Sequence, residues 1–414
     1  MSDMSVRMKG FSSYTRLEEA LDKILSRINS LQSETIPINQ SLNRVLYEDI
    51  ESEVNIPPFD RSAMDGYAVR ASDTFGADEN NPIELKVIGS SDIGTPPEDS
   101  VGEGEAIEIM TGAVMPEGAD AVIMIEHTER EDNKLEIYSP VSPGKNVSDK
   151  GEDVKSGEKV LSKGKKLRPQ DVGMLAATSH TEVKVFSKPK VGIVATGVEL
   201  REPGEELDSG EITESNSYSL EAAVNECGGE PDRLKITPDE PSALRETVEK
   251  ASDFDMLLIS GSTSVGKRDL IPEIISELGE LIIHGVAIRP GGPTAFGIVD
   301  GVPVFALAGF PVASFIAFET LSRPALRFMQ GLPGDRGRPR VEAKLKRKVS
   351  STLGRADVVR VKLDKDSEEQ VAEPIRVTGS SVLSSLTRAD GYAIIPEDVE
   401  GFDKGIEVEI ELFC

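Results

Sequence analysis

Hydrophobic residues repeat at helical spacing near the start of the chain. Four of them fall three or four positions apart: Leu17, Leu21, Ile24 and Ile28. This spacing predicts an amphipathic helix over residues 15–31, because such positions share one helix face. Thr15 followed by Glu18 fits a capping box, so Thr15 is expected to cap the helix.

Between residues 50 and 150 the pattern changes to short apolar runs separated by Gly, Pro, Asn and Asp. The runs cover 83–88, 106–110 and 121–125. Short runs bounded by turn residues predict strands, so this region is expected to be mostly β. Residues 151–187 return to mixed character, with Pro169 at a predicted helix start. We expect them to rejoin the first helix, which makes the β region an insertion.

Residues 188–331 alternate between strand and helix patterns. Apolar runs predict strands at 190–195, 255–260 and 281–288, and helical stretches fall at 216–227 and 270–278. This alternation indicates a doubly wound parallel sheet.

A hairpin and a long helix are predicted within the same region. Asp300-Gly301 joins the runs 294–299 and 302–307 and is a strong two-residue hairpin signal. A helix is expected over about 311–329, where Pro324 should kink or restart it.

The end of the chain alternates as strands and turns over 340–414, after a linker at 331–339, which predicts a small β-barrel. At 414 residues the chain is long enough for several cores. The predicted fold class is α/β plus β: a multidomain chain in which a doubly wound α/β domain carries an inserted β module and a C-terminal β-barrel. The expected domains are an N-terminal linker domain of 1–50 and 151–187, an inserted mostly β domain of 51–150, a doubly wound domain of 188–333 and a barrel domain of 339–414.

The charge of the chain is strongly acidic. Lys and Arg number 46 and Asp and Glu 73, which gives a net charge of −27. This excess argues against nucleic acid or anionic lipid as a partner, since a polyphosphate would be repelled, and it favours a solvated surface. No apolar run approaches the roughly 20 residues of a membrane span, and no basic segment followed by an apolar core opens the chain. A cytoplasmic protein without a membrane partner is expected.

Cysteine and histidine are scarce. Cys227 and Cys414 are too few for a disulfide framework or a thiolate metal cage. The three histidines lie far apart in the sequence, which leaves no obvious source for a zinc site or a Ser-His-Asp triad. Chemistry must therefore depend on carboxylates, backbone donors and cations.

The segment 57–69, Pro-Pro-Phe-Asp-Arg-Ser-Ala-Met-Asp-Gly-Tyr-Ala-Val, places two acids, a cation and a hydroxyl in one predicted loop. Asp60 and Asp65 could offer hard oxygens to Mg²⁺, while Arg61 and the neighbouring Ser62 could contact an anionic substrate. The alternative interpretation is a surface turn in which both acids are ordinary turn residues.

This segment closely resembles the signature of the molybdopterin molybdenumtransferase family, which includes the MoeA-type enzymes and the C-terminal domain of gephyrin. Further motifs follow in that family's order and spacing and extend the resemblance over nearly the whole chain: 110–122, 151–153, 195–200, 264–269 and 289–293.

The resemblance implies a four-part dimeric enzyme. Its active site would lie between the doubly wound, molybdopterin-binding-like domain and the 64–66 loop of the partner subunit. The implied substrates are adenylylated molybdopterin and molybdate, or tungstate, and the implied cofactor is Mg²⁺, with release of AMP. Six residues match positions that the resemblance places at the site: Asp65, Thr111, Asp153, Glu199, Asp239 and Asp269.

Electrostatics supports a cation at such a site. Two charges 4 Å apart repel by about 4 kcal/mol at an intermediate dielectric, so an anhydride beside an oxyanion needs a divalent ion or clustered donors. Asp65, Glu199 and Asp269 are therefore expected to ligate Mg²⁺, with Asp153 as a further catalytic acid. Glu199 as a solvated strand end and Asp269 as a helix cap before Leu270 are the alternatives.

Two glycine- or hydroxyl-rich turns are expected to bind the pterin or phosphate. The first, after a buried-type strand, contributes Gly261, Ser262, Ser264, Gly266 and Lys267; it lacks the frame of a Walker loop and could serve packing alone. The second contributes Ser215 and Asn216, which could equally be a simple helix cap.

Two turns depart from the family's pattern. Many members carry Lys-Pro-Gly-Lys-Pro and Leu-Pro-Gly-Asn-Pro, whereas this chain has Arg-Pro-Gly-Gly-Pro at 289–293 and Leu-Ala-Gly-Phe-Pro at 307–311. Arg289 is still expected to contact substrate, because Arg keeps the charge of the lysine and adds a bidentate fork. Pro290 and Pro311, which these turns retain, are also expected to contact substrate. The lysine lost at Gly292 leaves open a tungstate preference.

Two other functions stay open beside the transferase. One is an enzyme resembling molybdopterin adenylyltransferases, because similar doubly wound domains occur there. The other is a pterin- or nucleotide-binding scaffold or sensor that has drifted from the reaction.

Overall fold

The computed structural model describes residues 14–261, 270–364, 370–375 and 380–413. The chain divides into two compact units, which we call the main unit (Met1–Glu34 with Phe186–Cys414) and the insertion unit (Thr35–Val185). The chain therefore leaves the main unit once and returns to it once.

The main unit contains a six-stranded sheet. Its strands lie in the order Glu230–Arg233, Lys190–Ala195, Met256–Ser260, Val302–Leu307, Ala295–Val299 and Gly279–His284. The first four are parallel, as predicted, and Ala295–Val299 is antiparallel to both neighbours. Asp300 and Gly301 have φ values of 49° and 81°, the left-handed turn that reverses the chain, so the predicted hairpin is confirmed.

Apolar cores lie on both faces of this sheet, because successive strand residues point to opposite sides. Leu258 packs in the core with the helix Asn216–Glu226, whereas its neighbours Leu257 and Ile259 pack in the core with the helix Leu270–Leu278. The other helices of the main unit are Leu17–Leu25, Pro241–Glu249, Pro311–Ala317, Arg323–Met329 and Ser384–Thr387. The doubly wound prediction is confirmed.

The first helix and the helix predicted over 311–329 differ in detail from the expectation. Thr15 does not cap the first helix, contrary to prediction: its backbone pairs with Val286, and the Glu397 carboxylate accepts from the Leu17 nitrogen at 3.0 Å instead. The long helix predicted over 311–329 contains a π-helical stretch, Phe318–Ser322, and restarts beside Pro324. Pro324 has no N–H to donate, so it interrupts the regular hydrogen bonding of the helix and is tolerated in the first turn of the next one.

The C-terminal part of the main unit forms a closed five-stranded barrel, as predicted. Its strands are Arg340–Leu345, Ala356–Asp364, Val371–Pro374, Gly391–Ile395 and Glu407–Leu412. The barrel closes because Ala356–Asp364 pairs with both Val371–Pro374 and Gly391–Ile395. Ile288–Arg289 adds a short parallel pairing to Ala356–Asp364. Short strands at Leu200–Arg201, Ile212–Thr213, Val349–Ser350 and Gly401–Phe402 complete the unit.

The insertion unit is mostly β. Its six-stranded sheet has the order Ala121–Met124, Gly66–Val69, Glu105–Ile109, Ile83–Ser91, Lys134–Ile137 and Thr128–Glu131, so the three predicted runs are strands. Arg61–Ser62, Val147–Ser148, Ile50–Glu51 and Lys159–Leu161 form two further pairs of strands, and Pro169–Ala177 is a helix as predicted. The strands Ser33–Pro37 and Glu182–Phe186 pair where the chain enters and leaves this unit. Among the helices in the described ranges, none is both long and apolar enough to cross a membrane.

Candidate functional site

The Asp65 carboxylate is fixed by a single residue in the insertion unit. Its Oδ1 accepts one hydrogen bond from the Thr111 backbone nitrogen at 2.7 Å and another from the Thr111 hydroxyl at 2.8 Å. These bonds, the backbone one first, lower the pKa of Asp65 below its ordinary value. An exposed anion is thus held in one orientation by Thr111.

Glycine at position 66 makes this turn possible. A Cβ there would lie 1.9 Å from the Ile123 carbonyl oxygen, because Gly66 pairs directly against the neighbouring strand. The Asp65 carbonyl accepts from the Ile125 nitrogen at 3.2 Å, which seats the turn on the sheet edge. The backbone therefore sets the position of the carboxylate.

The other predicted residues of the insertion unit surround the same turn. The Asp60 carboxylate accepts from the Lys150 nitrogen at 2.7 Å, and Arg61 and Ser62 pair with the strand Val147–Ser148. Ser62 is buried, and its hydroxyl bonds to the Met64 backbone, so it shapes the loop. The Asp153 side chain is exposed, and its backbone nitrogen donates to the Ile56 carbonyl. Asp60, Arg61, Asp65, Thr111 and Asp153 all present exposed side chains.

A second group of residues, which includes the predicted Asn216 and Gly261, meets at the carboxyl ends of the parallel strands in the main unit. The Asn216 amide donates to the Ser260 hydroxyl at 2.9 Å and to the Gly309 carbonyl at 2.7 Å. Gly261 approaches Thr196 so closely that a Cβ would lie 2.3 Å from its carbonyl oxygen. This edge is where open α/β sheets bind ligands.

Thr196 in this group was not singled out from the sequence. Its hydroxyl is buried and has no hydrogen-bond partner among the described residues. A buried hydroxyl without a partner is costly, so a ligand group or water is expected to satisfy it. Its position between a strand end and Gly197 gave no local signal that would set it apart from an ordinary core threonine.

The other residues predicted at this edge lie in different surroundings. Glu199 and Asp239 are exposed, in the turns that follow their strands. Ser215 is the residue before the helix, but its side chain makes no cap bond; Glu214 accepts from the Ser217 nitrogen at 2.8 Å instead. Five predicted residues lie outside the described residues: Ser262, Ser264, Gly266, Lys267 and Asp269.

A cation-lined cavity of about 1060 Å³ lies in the main unit, between the 289–293 turn and the barrel. We call it the basic pocket. Its described lining includes five cationic side chains and one carboxylate: Arg289, Arg347, Lys348, Arg355, Arg360 and Asp357. Pro290 and Phe310 also line it, and Pro311 begins the helix next to Phe310. In a chain of net charge −27, this concentration of positive charge points to an anionic ligand.

Arg289 is engaged within the pocket. Its Nε donates to Asp357 Oδ1 at 2.6 Å, its Nη2 donates to Asp357 Oδ2, and the Ser351 hydroxyl donates to the same carboxylate at 2.8 Å. The bidentate fork expected to contact an oxyanion is therefore occupied by a protein carboxylate.

Arg360, unlike Arg289, is paired with no carboxylate among the described residues. It is 1% exposed, and its Nε and Nη2 have no hydrogen-bond partner among the described residues, while Nη1 lies 3.4 Å from the Val358 carbonyl. Burial lowers the pKa of Arg360 to about 10, so the guanidinium is charged at neutral pH. A buried charge without a counter-ion is destabilising, and a bound anion would compensate it.

The other cations of the pocket have weaker partners. The Arg347 guanidinium donates to the Pro374 carbonyl, and Arg355 lies 4.7 Å above the Tyr14 ring. Lys348 pairs with Asp403 at 2.8 Å where both side chains are exposed. The charges of Arg347 and Arg355 remain available to an anion, because neither of their contacts named here involves an acid.

Within the described residues, no group of three His, Cys, Asp or Glu side chains is close enough to hold a metal ion. Asp65 lies in the insertion unit and Glu199 in the main unit. The set of three Mg²⁺ ligands therefore stays a prediction.

Three protein-family models match the chain. The model for the MoeA N-terminal region (domain I and II) matches residues 15–179. The model described as "Probable molybdopterin binding domain" matches 192–327, and the model for the MoeA C-terminal region (domain IV) matches 342–413.

Individual proteins are similar over almost the whole length. A Methanocaldococcus jannaschii protein named for molybdopterin biosynthesis is 41% identical over 408 residues, covering 96% of this chain and 95% of its own. The molybdopterin molybdenumtransferase of Staphylococcus aureus is 34% identical over 402 residues, with the same coverages. The crystal structure of the MoeA molybdopterin biosynthesis protein of Pyrococcus horikoshii is similar with a TM-score of 0.86 at 41% identity, covering 97% of this chain and all of that one.

Proposed function

The chain belongs to the MoeA family, whose models match most of its length, and on this premise we propose that it is a molybdopterin molybdenumtransferase of molybdenum cofactor biosynthesis. In detail, we propose that it inserts molybdate or tungstate into adenylylated molybdopterin and that cleavage of the phosphoanhydride releases AMP. We further propose a cytoplasmic homodimer.

The observation that carries this proposal is the Arg360 guanidinium in the basic pocket, two nitrogens of which have no partner in the described part of the chain. Molybdate and tungstate are tetrahedral dianions, and a guanidinium presents a planar fork of N–H donors that suits oxyanions. Such bonds are stronger in a buried site than in water, because the local dielectric is low. Arg360 is therefore assigned to the oxyanion, with Arg347 and Arg355 adding positive charge at the same cavity.

Arg289 has an indirect role in this proposal. Its charge is balanced by Asp357, so its contribution is to hold the 289–293 turn against the barrel strand Ala356–Asp364. This pair keeps the wall of the basic pocket in place, and Pro290 stays a proposed substrate contact.

The pterin is proposed to bind at the carboxyl ends of the parallel strands. Asn216 and the buried Thr196 hydroxyl offer polar groups there, and Gly261 permits a close backbone approach. Ser215, Asp239 and Pro311 are proposed neighbours of the same ligand. The roles given to Ser262, Ser264, Gly266 and Lys267 remain predictions from the sequence.

Magnesium is proposed as the cofactor, with Asp65, Glu199 and Asp269 as its protein ligands and Asp153 as a further catalytic acid. Mg²⁺ is commonly held by one or two carboxylates together with waters and substrate phosphates, so a cation that arrives with the adenylate needs few protein ligands. The lowered pKa of Asp65 suits this role, because the carboxylate is ionised at neutral pH. When bound, the cation would neutralise charge on the leaving phosphate.

The proposal is tested by incubating purified protein with adenylylated molybdopterin, molybdate and Mg²⁺ and measuring AMP. We expect AMP release that falls sharply in Asp65→Ala and Asp269→Ala. A known family enzyme active in parallel serves as the positive control, and absence of AMP release from this chain under those conditions contradicts the proposal. Consumption of ATP with unmodified molybdopterin would favour the adenylyltransferase-like alternative, and tight pterin binding without turnover would favour the scaffold.

A further inference from the structure

Phe310 exposes its ring at the basic pocket. It follows the strand Val302–Leu307, lines the cavity, and is 58% exposed. A single exposed aromatic residue is common on protein surfaces and by itself carries no meaning. Phe310 differs because it lies on the wall of a cavity that is also lined by five cationic side chains.

The backbone around Phe310 is fixed. The Gly309 carbonyl accepts from the Asn216 amide at 2.7 Å, and the Phe310 carbonyl accepts from the Ser314 nitrogen at 2.9 Å. The Val312 nitrogen donates to the Ser380 carbonyl at 3.1 Å. The ring is thus mounted on a rigid segment while its surface stays uncovered, so a ligand that covers it loses little conformational entropy in ordering the protein.

The cavity wall has two kinds of surface. Arg347, Arg355 and Arg360 supply positive charge. Phe310, Ala308 and Ala313 supply apolar surface beside it. Ligand sites of this kind bind molecules with an apolar body and a few polar groups in defined places. The ligand that matches both surfaces has a flat ring and an anionic group.

We propose that Phe310 stacks on the planar heteroaromatic ring of a ligand whose phosphate group is bound by the cations of the basic pocket. This inference rests on the proposed function, since adenylylated molybdopterin carries two such rings, a pterin and an adenine. Phe310 is then a specificity-determining residue for ring-bearing phosphates over simple oxyanions.

Stacking has a measurable consequence for affinity. Stacking of a base on an aromatic side chain contributes enough that its removal weakens binding by about tenfold. Phe310→Leu keeps apolar volume but removes the ring face. We expect it to weaken binding of AMP or of pterin-6-carboxylate by about tenfold and to leave the affinity for inorganic phosphate unchanged, measured by calorimetry on the full chain.

The absence of tryptophan from the sequence gives a direct reporter. Phe310→Trp places one indole at the site, and a ring stacked on it should quench its fluorescence. Phe75→Trp is a matched control, because Phe75 is also 58% exposed but lies in the insertion unit, outside the basic pocket. We expect AMP or pterin-6-carboxylate to quench Phe310→Trp, inorganic phosphate to leave it unchanged, and Phe75→Trp to respond to none of the three.

The arms of this experiment identify the ring. Quenching by AMP alone assigns the adenine to Phe310, and quenching by pterin-6-carboxylate alone assigns the pterin. The proposal is overturned if neither ligand quenches Phe310→Trp, or if Phe310→Leu weakens phosphate and ring-bearing ligands equally. Because these readouts need no turnover, a failure of AMP release with intact Phe310-dependent binding would count against the proposed function alone.

Discussion

Arg289 and Asp357 form a bidentate ion pair at the wall of the basic pocket, with Arg289 Nε 2.6 Å from Asp357 Oδ1. Arg360 lines the same cavity with two guanidinium nitrogens that have no partner among the described residues. Two arginines that are equivalent in charge therefore differ in what they can offer an anion. Arg289 positions the wall, whereas Arg360 has donors that no described residue uses and that an anion could accept from.

This contrast predicts unequal effects on molybdate binding. Arg360→Met should weaken molybdate affinity by about tenfold or more, because a hydrogen bond to a charged group contributes about 1.5–3 kcal/mol. Arg289→Met combined with Asp357→Asn, which removes the ion pair without leaving an uncompensated carboxylate in the pocket, should have a much smaller effect. Calorimetric titration with molybdate measures both, and Arg360→Lys, which keeps the charge, should retain part of the affinity. Equal losses in Arg360→Met and in the double variant would refute the assignment.

The same unpaired charge predicts an unusual effect on stability. Without an anion, Arg360→Met should melt at the same temperature as the unchanged chain or higher, because it removes a buried charge that has no counter-ion among the described residues. Added molybdate should raise the melting temperature of the unchanged chain, since a ligand that binds only the folded state stabilises it, and at the same concentration should raise that of the variant by less. Thermal denaturation in anion-poor buffer, with and without molybdate, tests this. A variant that melts several degrees lower without anion would contradict it.

The fold was largely predictable because its signals are local. Asp300-Gly301 predicts a hairpin from two residues, and the apolar runs at 190–195 and 255–260 are long enough to be strands buried on both faces. Thr15 shows the limit of local reasoning. Its capping box is present in the sequence, but the Glu397 carboxylate, 380 residues from Leu17, takes the helix nitrogen instead.

The candidate site was predictable only in part, because local sequence signals do not show which distant residues meet in the fold. Asp65 and Thr111 stand in recognisable motifs, and the structure joins them directly. Arg347, Arg355 and Arg360 stand in no motif, and they converge only because the barrel brings them to one cavity. Nor could the sequence show that Asp357 would occupy the Arg289 fork. The four domain boundaries and the joint role of Asp65, Glu199 and Asp269 remain predictions.

The Asp65–Thr111 contact predicts a shift of one pKa. Thr111→Val removes the hydroxyl donor but keeps the backbone donor, so the pKa of Asp65 should rise only part of the way to its ordinary value of 3.8. Because the folded-state pKa is lowered, the stability that these bonds contribute is present above the ordinary pKa and is lost as pH falls through the lowered one. Carboxyl NMR titration of Asp65 measures the shift. Thr111→Ser keeps the hydroxyl and should leave the pKa unchanged; an equal rise in both variants would show that loss of the hydroxyl does not explain the shift.

A buried ion network predicts a large loss of stability. Arg338 donates from Nε to one oxygen of the Glu319 carboxylate at 2.9 Å and from Nη2 to the other at 2.7 Å, and Glu319 is 0% exposed. Among the described residues, Arg338→Met leaves that carboxylate with Arg323, at 3.6 Å, as its one ion partner, so the free energy of unfolding should fall by about 3–5 kcal/mol. Adding Glu319→Met to the same chain should recover most of the loss, because no buried charge is then left unpaired. Urea denaturation compares the three chains. A double variant as unstable as the single one would mean that packing, not charge, explains the effect.

Two glycines of the insertion unit should respond in opposite directions to the same substitution. Gly66→Ala would place a methyl carbon 1.9 Å from the Ile123 carbonyl oxygen, so the strand must separate from its neighbour and the Asp65 turn must move with it. Gly173 lies exposed inside the helix Pro169–Ala177 with nothing within 4 Å of an added Cβ, and alanine there should stabilise the helix by about 0.5–1 kcal/mol. We expect Gly66→Ala to lower the melting temperature and AMP release together, and Gly173→Ala to raise the melting temperature while leaving AMP release unchanged. Since both changes add one methyl group to the same unit, normal stability and activity in Gly66→Ala would show that the turn holding Asp65 does not depend on this close backbone approach.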